Sequence, residues 1–326
     1  MTAPLLEVNH LRVEFPGRRG TLLALDDVSF AIAPGEILGV VGESGAGKSL
    51  TGAAIIGLLE PPGRIAAGEI RLAGRRIDNL PYEQMRRVRG REIGAVFQDP
   101  LTSLNPLYTV GQQIVETIVT HLPLTAAQAR VRAIELLAST GIPAPEARID
   151  HYPHQFSGGM RQRVVIALAL AADPKLIVAD EPTTALDVSI QAQIIALLKK
   201  VCHEQGAAVM LVTHDMGVIA ETCDRVAVMY AGRIAEIGPV GEVIHRPAHP
   251  YTAGLMGSIP AMDEDRERLL QIDGAMPRLT AIPSGCAFHP RCPRVAERCR
   301  ADRPELAEVG ATRAACWRPV GQEVQP

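Results

Sequence analysis

Residues 37–49 have the sequence Ile37-Leu38-Gly39-Val40-Val41-Gly42-Glu43-Ser44-Gly45-Ala46-Gly47-Lys48-Ser49. The second part of this stretch fits the phosphate-binding pattern G-x-x-x-x-G-K-[ST], and the apolar run before it predicts a buried strand. A glycine-rich loop between a strand and a helix turns backbone N–H groups toward an anion, and the helix dipole favours the same charge. The sequence therefore predicts that Lys48 reaches the β- and γ-phosphates of a nucleotide and that the Ser49 hydroxyl binds Mg²⁺.

A second functional position is predicted where another buried strand ends. The apolar residues 176–179 are followed directly by Asp180 and Glu181. The first carboxylate can hold Mg²⁺, directly or through water, and the second can polarise an attacking water molecule. Two acids at a strand end often form only a turn or a helix cap. The sequence of residues 182–187, Pro-Thr-Thr-Ala-Leu-Asp, favours the metal site instead.

The order of strand and helix patterns predicts an α/β fold. Residues 5–74 show alternating apolar positions interrupted by Pro-Gly pairs, which is typical of strands and turns. A helical insert is expected over about 99–165, because apolar residues there follow helical spacing. Strands at 176–180 and 208–213 flank a further helix. We therefore expect a mainly parallel sheet with an antiparallel β subdomain and a helical insert.

The composition of the chain changes near residue 239. Prolines become frequent there, and four of the six cysteines follow in the last part of the sequence. We interpret residues 1–238 as the nucleotide-binding domain and residues 239–326 as a separate C-terminal module. The module is not expected to continue the sheet of the larger domain.

Length, composition and charge exclude several classes of protein. With 326 residues and an apolar fraction of 47%, the chain can form one large domain plus an appendage. No apolar stretch approaches the roughly 18 residues that span a bilayer, and the N-terminus lacks the layout of a signal peptide. The net charge of −3 does not favour a nucleic-acid surface. We expect a soluble cytoplasmic chain that binds no nucleic acid.

Four cysteines cluster in the C-terminal part, at Cys286, Cys292, Cys299 and Cys316. Five, six and sixteen residues separate them, and none of these gaps is the two-residue gap of zinc knuckles. In a cytosolic chain such a cluster favours metal binding over disulfides. Thiolates suit both zinc and iron–sulfur clusters, and His289 lies close enough in sequence to replace one cysteine at a zinc ion. An iron–sulfur cluster, zinc and no metal all remain open.

The set of motifs, in this order, resembles that of the ATP-binding cassette (ABC) transporter ATPases. The segment Ser157-Gly158-Gly159 separates this family from other phosphate-loop enzymes. In the family, the equivalent residues begin a helix that faces the γ-phosphate held by the other subunit, so the resemblance implies a head-to-tail dimer. Phe156 and Met160 stand where the family usually has leucine and glutamine. Side-chain contacts are expected to differ there, whereas the backbone amides do not depend on these residues.

The resemblance also implies roles for four other residues. Gln98 resembles the glutamine that reaches Mg²⁺ and couples to the membrane subunits. Asp187 resembles the aspartate that communicates across the dimer. His214 resembles the histidine that contacts the γ-phosphate. Phe15 either stacks on adenine, as an early aromatic residue does in the family, or is a core residue of its strand.

The C-terminal part resembles the extension of oligopeptide and dipeptide importer ATPases, and residues 98–106 and 156–163 are typical of the same subgroup. The resemblance covers about Leu5 to Trp317 and suits the first, or D-type, of the two unlike ATPases in such importers. It implies an ATPase at the cytoplasmic face of the membrane that pairs with a paralogous cassette and drives two permease subunits. It also implies peptides delivered by an extracytoplasmic binding protein and a [4Fe–4S] cluster on the four cysteines.

Three alternatives remain open at the level of the sequence. The same ATPase could serve another cargo, such as nickel chelates, opines or glutathione-like molecules. A regulatory ATPase could use the cysteine-containing tail to gate hydrolysis by redox state. A non-transport ABC protein of DNA repair or translation is disfavoured, because it needs a coiled-coil insertion or two cassettes in one chain.

Overall fold

The computed structural model describes residues 3–18, 20–183, 187–258 and 271–321. The described residues form two compact units. Of the described residues, the first unit contains 3–6, 32–37, 71–183 and 187–212, and the second contains 7–18, 20–31, 38–70, 213–258 and 271–321. Each unit is therefore assembled from distant parts of the sequence.

Strands occur throughout the described chain. They are β1 Leu6–Gly17, β2 Gly20–Ile32, β3 Ile37–Val41, β4 Arg64–Leu72, β5 Arg75–Arg76, β6 Ile93–Val96, β7 Leu176–Asp180, β8 Ala208–Val212, β9 Arg225–Tyr230, β10 Arg233–Pro239, β11 Ala307–Val309 and β12 Thr312–Ala314.

Helices lie between most of these strands. They are α1 Lys48–Ile55, α2 Tyr82–Val88, α3 Pro100–Ser103, α4 Val110–His121, α5 Ala126–Ser139, α6 Pro145–Arg148, α7 Gly158–Ala169, α8 Val188–Gln205, α9 Met216–Thr222, α10 Val240–His245, α11 Pro250–Gly257 and α12 Glu297–Ala301, with 3₁₀ turns at Pro153–Gln155 and His289–Arg291.

The first unit contains a parallel sheet and most of the helices. Strands β6, β7 and β8 pair in parallel, and the register places Asp180 opposite Val212. Helices α3 to α7 follow β6 and precede β7, where the sequence predicts the helical insert. Thr109 and Thr125 each form a capping box at the start of α4 and α5, which satisfies two otherwise unpaired N–H groups per helix.

The second unit is built on strands β3, β9 and β10. The five residues of β3 are all buried, and β3 pairs in parallel with β9 from Leu38 to Val41. β9 pairs antiparallel with β10. In a second sheet, β2, β1 and β4 follow one another in that order. The described chain thus combines parallel and antiparallel pairing, and the sheets are mixed.

The expectation that the C-terminal part does not continue the sheet is wrong. Strand β12 pairs antiparallel with β10, with Glu236 opposite Ala314, and β11 pairs with β12. These two strands are only three residues long, which is too short for an alternating pattern to predict them. The tail therefore extends the sheet of the second unit.

A buried carboxylate joins the tail to this sheet. Glu236 is fully buried in β10, and its carboxylate accepts hydrogen bonds from the backbone N–H groups of Ala248 (2.8 Å) and His249 (2.9 Å). The Thr312 hydroxyl donates a third bond at 3.2 Å. A buried carboxylate is tolerated only when such donors replace water. Glu236 thereby connects β10, the start of α11 and β12.

A second polar connection lies at Asp26 in β2. Its side chain is 8% exposed and forms ion pairs with Arg12, Arg233 and, from the C-terminal part, Arg303. Burial raises the pKa of Asp26, but the hydrogen bond from Arg12 and the charges of Arg233 and Arg303 outweigh it and hold the pKa below its ordinary value. The ionised Asp26 therefore connects the β subdomain to the tail.

The imidazole of His249 is buried at the start of α11. Its Nδ1 accepts the backbone N–H of Tyr251 at 3.0 Å, so this nitrogen carries no proton. Burial is the main cause that lowers the pKa of His249 from 6.5 to about 4. The unfolded chain binds a proton at this residue below about pH 6.5, whereas the folded chain does so only near pH 4.

We expect His249 to make the folded protein less stable as the pH falls from about 6.5 toward 4. At pH 5 this residue should cost about 2 kcal/mol of unfolding free energy relative to pH 7. His249→Asn keeps an acceptor for the helix cap and removes the titration. Urea unfolding at pH 7 and pH 5 should show a pH dependence about 2 kcal/mol smaller in the variant. An equal dependence in both proteins would contradict the assignment.

Candidate functional site

The phosphate loop requires glycine at two positions for steric reasons. Gly42 and Gly47 have φ angles of 149° and 104°, which favour glycine. A Cβ atom at Gly42 would lie 2.3 Å from the carbonyl oxygen of Met229, and one at Gly47 would lie 2.6 Å from a methyl group of Leu25. The loop therefore packs with its backbone directly against its surroundings.

The loop is held by hydrogen bonds among its own residues and by one from Gly232. The Lys48 ammonium donates to the carbonyl oxygens of Gly42 (2.7 Å) and Glu43 (3.2 Å), and the Lys48 side chain is buried. The N–H of Ala46 donates to the carbonyl of Glu43 at 3.1 Å, and the N–H of Gly232 donates to Ala46. The exposed residues of the loop region are Ser44, Gly45 and Ser49. The backbone of the loop is therefore held in place by these bonds, and its binding of an anion stays a prediction.

The predicted residues His214 and Phe15 belong to the same unit as this loop. The N–H of Thr213 donates to the carbonyl of Val40 in β3 at 3.2 Å, so His214 follows directly after a residue bonded to the strand that leads into the loop. His214 is exposed. The Phe15 ring is half-buried beside Gly63, where a Cβ atom would lie 2.6 Å from the ring. The adenine contact of Phe15 stays a prediction.

The first unit brings together two of the predicted catalytic residues. The Gln98 side-chain amide donates to a carboxylate oxygen of Glu181 at 3.2 Å. Glu181 has a φ angle of 45°, which is unusual for a residue other than glycine, and its N–H donates to the carbonyl of Val212 at 2.8 Å. Asp180 is the last residue of β7. The end of this strand therefore fixes the backbone of Glu181 while Gln98 orients its carboxylate.

The segment Ser157-Gly158-Gly159 begins the twelve-residue helix α7. The Ser157 side chain caps this helix by accepting the N–H of Met160 at 3.4 Å. Ser157 and Gly158 are exposed, while Phe156 is 2% exposed. The phenylalanine that stands at the family's usual leucine position is therefore a buried apolar residue, and the N-terminus of the helix is exposed.

Asp187 precedes α8 and is exposed. Residues 184–186, which connect it to the strand end at Glu181, lie outside the described residues. The role of Asp187 in communication across a dimer stays a prediction.

The four predicted cysteine ligands line one small pocket of the second unit, together with His289. The N–H of Cys286 donates to the carbonyl of Cys299 at 2.8 Å. All four sulfur atoms are free of disulfide bonds. The tail therefore brings together residues that are up to thirty positions apart in the sequence.

Burial of this pocket disfavours the thiolate form of its cysteines. It is the main cause that raises the pKa of Cys286 and Cys292, and it raises the pKa of Cys316 to about 11. The neighbouring cysteines raise these pKa values further. Within the described chain, no group of three or more His, Cys, Asp or Glu side chains could hold a single metal ion. Burial therefore favours the neutral thiol form of Cys286, Cys292 and Cys316.

Comparison with known proteins identifies the family. Residues 25–184 match the ABC transporter family, and residues 235–299 match the oligopeptide/dipeptide transporter C-terminal region. The dipeptide transport ATP-binding protein DppD of Haemophilus influenzae is 44% identical over 322 residues, which cover 99% of this chain and 98% of that protein. The chain belongs to the oligopeptide/dipeptide importer family of ABC transporter ATP-binding subunits.

Further relatives and a solved structure agree with this family. The oligopeptide transport ATP-binding protein OppD of Salmonella typhimurium is 46% identical over 97% of this chain and 94% of its own length. DppD of Escherichia coli is 46% identical over 93% of this chain and 92% of its own length. The dimeric ATP-binding cassette MJ0796, bound to ADP and Pi, superposes with a TM-score of 0.65 and 30% identity over 72% of this chain and 98% of that chain. The predicted ABC cassette fold is confirmed, and the chain is an ATPase.

The structure adds residues that sequence reasoning missed. Glu43 of the phosphate loop forms an ion pair with Arg291, and its N–H donates to the hydroxyl of Tyr251. No local motif marks these partners, because more than two hundred residues separate each of them from Glu43.

Among the described helices, none is long and apolar enough to cross a membrane.

Replacing Gly42 should damage the cassette more than replacing Gly45, although both residues have a positive φ angle. A Cβ atom at Gly45 meets nothing within 4 Å, whereas one at Gly42 meets the Met229 carbonyl. We expect Gly42→Ala to lower the unfolding free energy by about 3 kcal/mol and Gly45→Ala by about 1 kcal/mol. Urea unfolding of the nucleotide-free protein measures both. Equal losses of unfolding free energy would show that the contact with Met229 does not account for the cost of a side chain at Gly42.

Proposed function

We propose that the chain is the ATP-hydrolysing subunit of an importer for dipeptides and oligopeptides. The observation that carries this proposal is the presence, in one chain, of both family regions at residues 25–184 and 235–299. The relatives that match nearly the whole chain are named for dipeptide or oligopeptide transport. We further propose residues 1–238 as the cassette and residues 239–326 as its cysteine-containing extension.

The phosphate loop is the proposed binding element for the triphosphate. Lys48 and the backbone N–H groups of residues 42–49 would bind the β- and γ-phosphates. The side chains proposed to hold Mg²⁺ are Ser49, Gln98 and Asp180, which supply the oxygen ligands that this ion prefers. The preformed loop and its buried lysine support this role, because little reorganisation is needed when an anion binds.

Hydrolysis is proposed to be an in-line attack of water on the γ-phosphate, catalysed mainly by positioning and charge stabilisation. Glu181 would orient and polarise the water, and His214 would contact the γ-phosphate. The hydrogen bond from Gln98 supports the role of Glu181, since it fixes the carboxylate in one orientation. Gln98 would also couple the nucleotide site to the membrane subunits.

A second cassette is proposed to complete the catalytic unit. The exposed Ser157 and the N–H groups at the start of α7 would face a γ-phosphate bound by the other cassette, and Asp187 would contact that cassette. The related cassette MJ0796 is dimeric, which supports such pairing. We propose a paralogous ATPase as the partner, two permease subunits in the membrane, and a binding protein that delivers peptide from outside. The chain would lie peripherally on the cytoplasmic face of the membrane.

We propose that the cysteine pocket holds a [4Fe–4S] cluster. Four thiols that line one pocket match the four ligands of such a cluster, each of which binds a different iron. A zinc ion would instead gather its four ligands tetrahedrally around one centre. The raised thiol pKa values fit neutral cysteines that lose their protons only on binding iron.

Uptake in cells tests the cargo. In cells that lack this chain, the wild-type chain should restore uptake of radiolabelled alanyl-alanine. Glu181→Gln should leave uptake at background, because removing a catalytic base costs about 100-fold or more in rate. Glu308→Gln, an exposed residue of β11, is the matched control and should restore uptake. Restored uptake of a nickel chelate without restored dipeptide uptake would refute the peptide cargo.

Metal analysis of protein purified without oxygen tests the cluster. We expect about four irons and four acid-labile sulfides per chain and a broad visible absorption. Cys292→Ser should lose most of the iron. Cys223→Ser, which changes a buried cysteine beside Gly39, should keep it. One zinc per chain, or iron that survives the Cys292 substitution, would contradict the proposal.

A further inference from the structure

The phosphate loop is held at Glu43 by two groups from the C-terminal part of the chain. The Glu43 carboxylate accepts hydrogen bonds from Nη1 of Arg291 at 2.9 and 3.2 Å. The Glu43 N–H donates to the hydroxyl of Tyr251 at 2.9 Å. Both the side chain and the backbone of this loop residue are therefore fixed by the segment that begins after β10.

The guanidinium of Arg291 is itself fixed before any ligand binds. Its Nε donates to the carbonyl of Asp273 at 2.9 Å, and Nη2 donates to the carbonyls of Ile272 (3.3 Å) and Gly274 (3.4 Å). The Arg291 side chain is only 7% exposed, and its guanidinium lies 5.9 Å from the centre of the Tyr230 ring. A planar guanidinium with all three nitrogens engaged loses little freedom when it holds a carboxylate.

The charge of Glu43 makes this contact important for an anionic ligand. A carboxylate in a phosphate-binding loop repels the phosphates, and the repulsion is stronger near a protein surface than in bulk water. The Glu43 side chain is 30% exposed, so solvent screens it only in part. Arg291 compensates this negative charge within the loop.

We propose that Arg291 is a positioning residue for nucleotide binding. It neutralises Glu43 and holds the loop through it, so the folded C-terminal segment sets the affinity for nucleoside triphosphate. Arg291 directly precedes Cys292 of the cysteine pocket, and the two residues share one turn of chain. The inference rests on the proposed phosphate-binding role of residues 42–49.

Calorimetric titration of the full chain with Mg²⁺ and the non-hydrolysable analogue AMP-PNP tests the proposal. Arg291→Met should raise the Kd roughly tenfold, because it exposes the phosphates to an uncompensated carboxylate. The effect should be smaller for ADP, which carries less charge. Arg300→Met, an exposed arginine of α12 in the same segment, is the matched control and should leave the Kd unchanged.

Two further variants separate charge compensation from a general loss of structure. Arg291→Lys, and Arg291→Met combined with Glu43→Gln, should both return the Kd to within about threefold of wild type, since each restores the charge balance. A double variant that binds no better than Arg291→Met alone would overturn the proposal. Unchanged affinity in Arg291→Met would overturn it as well.

Measuring the same affinity for Lys48→Ala separates a failure of this inference from a failure of the proposed nucleotide site. If Lys48→Ala binds the analogue as well as wild type, the phosphate loop is not the binding element and the site proposal fails. If Lys48→Ala loses binding while Arg291→Met keeps it, only the role of Arg291 fails.

Discussion

The close packing of the phosphate loop against the end of β9 is the constraint on which the other features depend. Gly42 leaves no room for a side chain beside the Met229 carbonyl, and β3 reaches the loop in parallel register with β9. The buried Lys48 bonds back to the loop carbonyls and keeps the backbone in place. A loop fixed by its neighbours can present N–H groups to an anion without reorganising.

The C-terminal part supports this loop through buried polar contacts rather than through a hydrophobic face alone. Glu236 binds the start of α11, which carries Tyr251, and Arg291 holds Glu43. The Tyr230 ring packs edge to face against Tyr251 and Phe288, with ring centres 4.6 and 5.3 Å apart, and the rings of Tyr251 and Phe288 are tilted at 5.4 Å. A region that follows the cassette in sequence is thereby part of the structure around its nucleotide loop.

Local sequence patterns were enough to predict the loop at residues 42–49, the two acids after β7 and the start of α7. In each of these places the relevant residues lie only a few positions apart in the chain. The contacts of Glu236, Asp26 and Glu43 could not be predicted in this way. Their partners lie far away in sequence, and a carboxylate gives no local sign of which arginine or N–H group it will meet.

ATP hydrolysis by this cassette drives the import of peptides. The most direct measurement is phosphate release by the assembled importer in lipid vesicles, with and without peptide-loaded binding protein on the outer side. We predict that peptide-loaded binding protein raises the hydrolysis rate several-fold, which corresponds to an activation barrier lower by roughly 1 kcal/mol. Hydrolysis that does not respond to peptide, while a different cargo stimulates it, would contradict the claim.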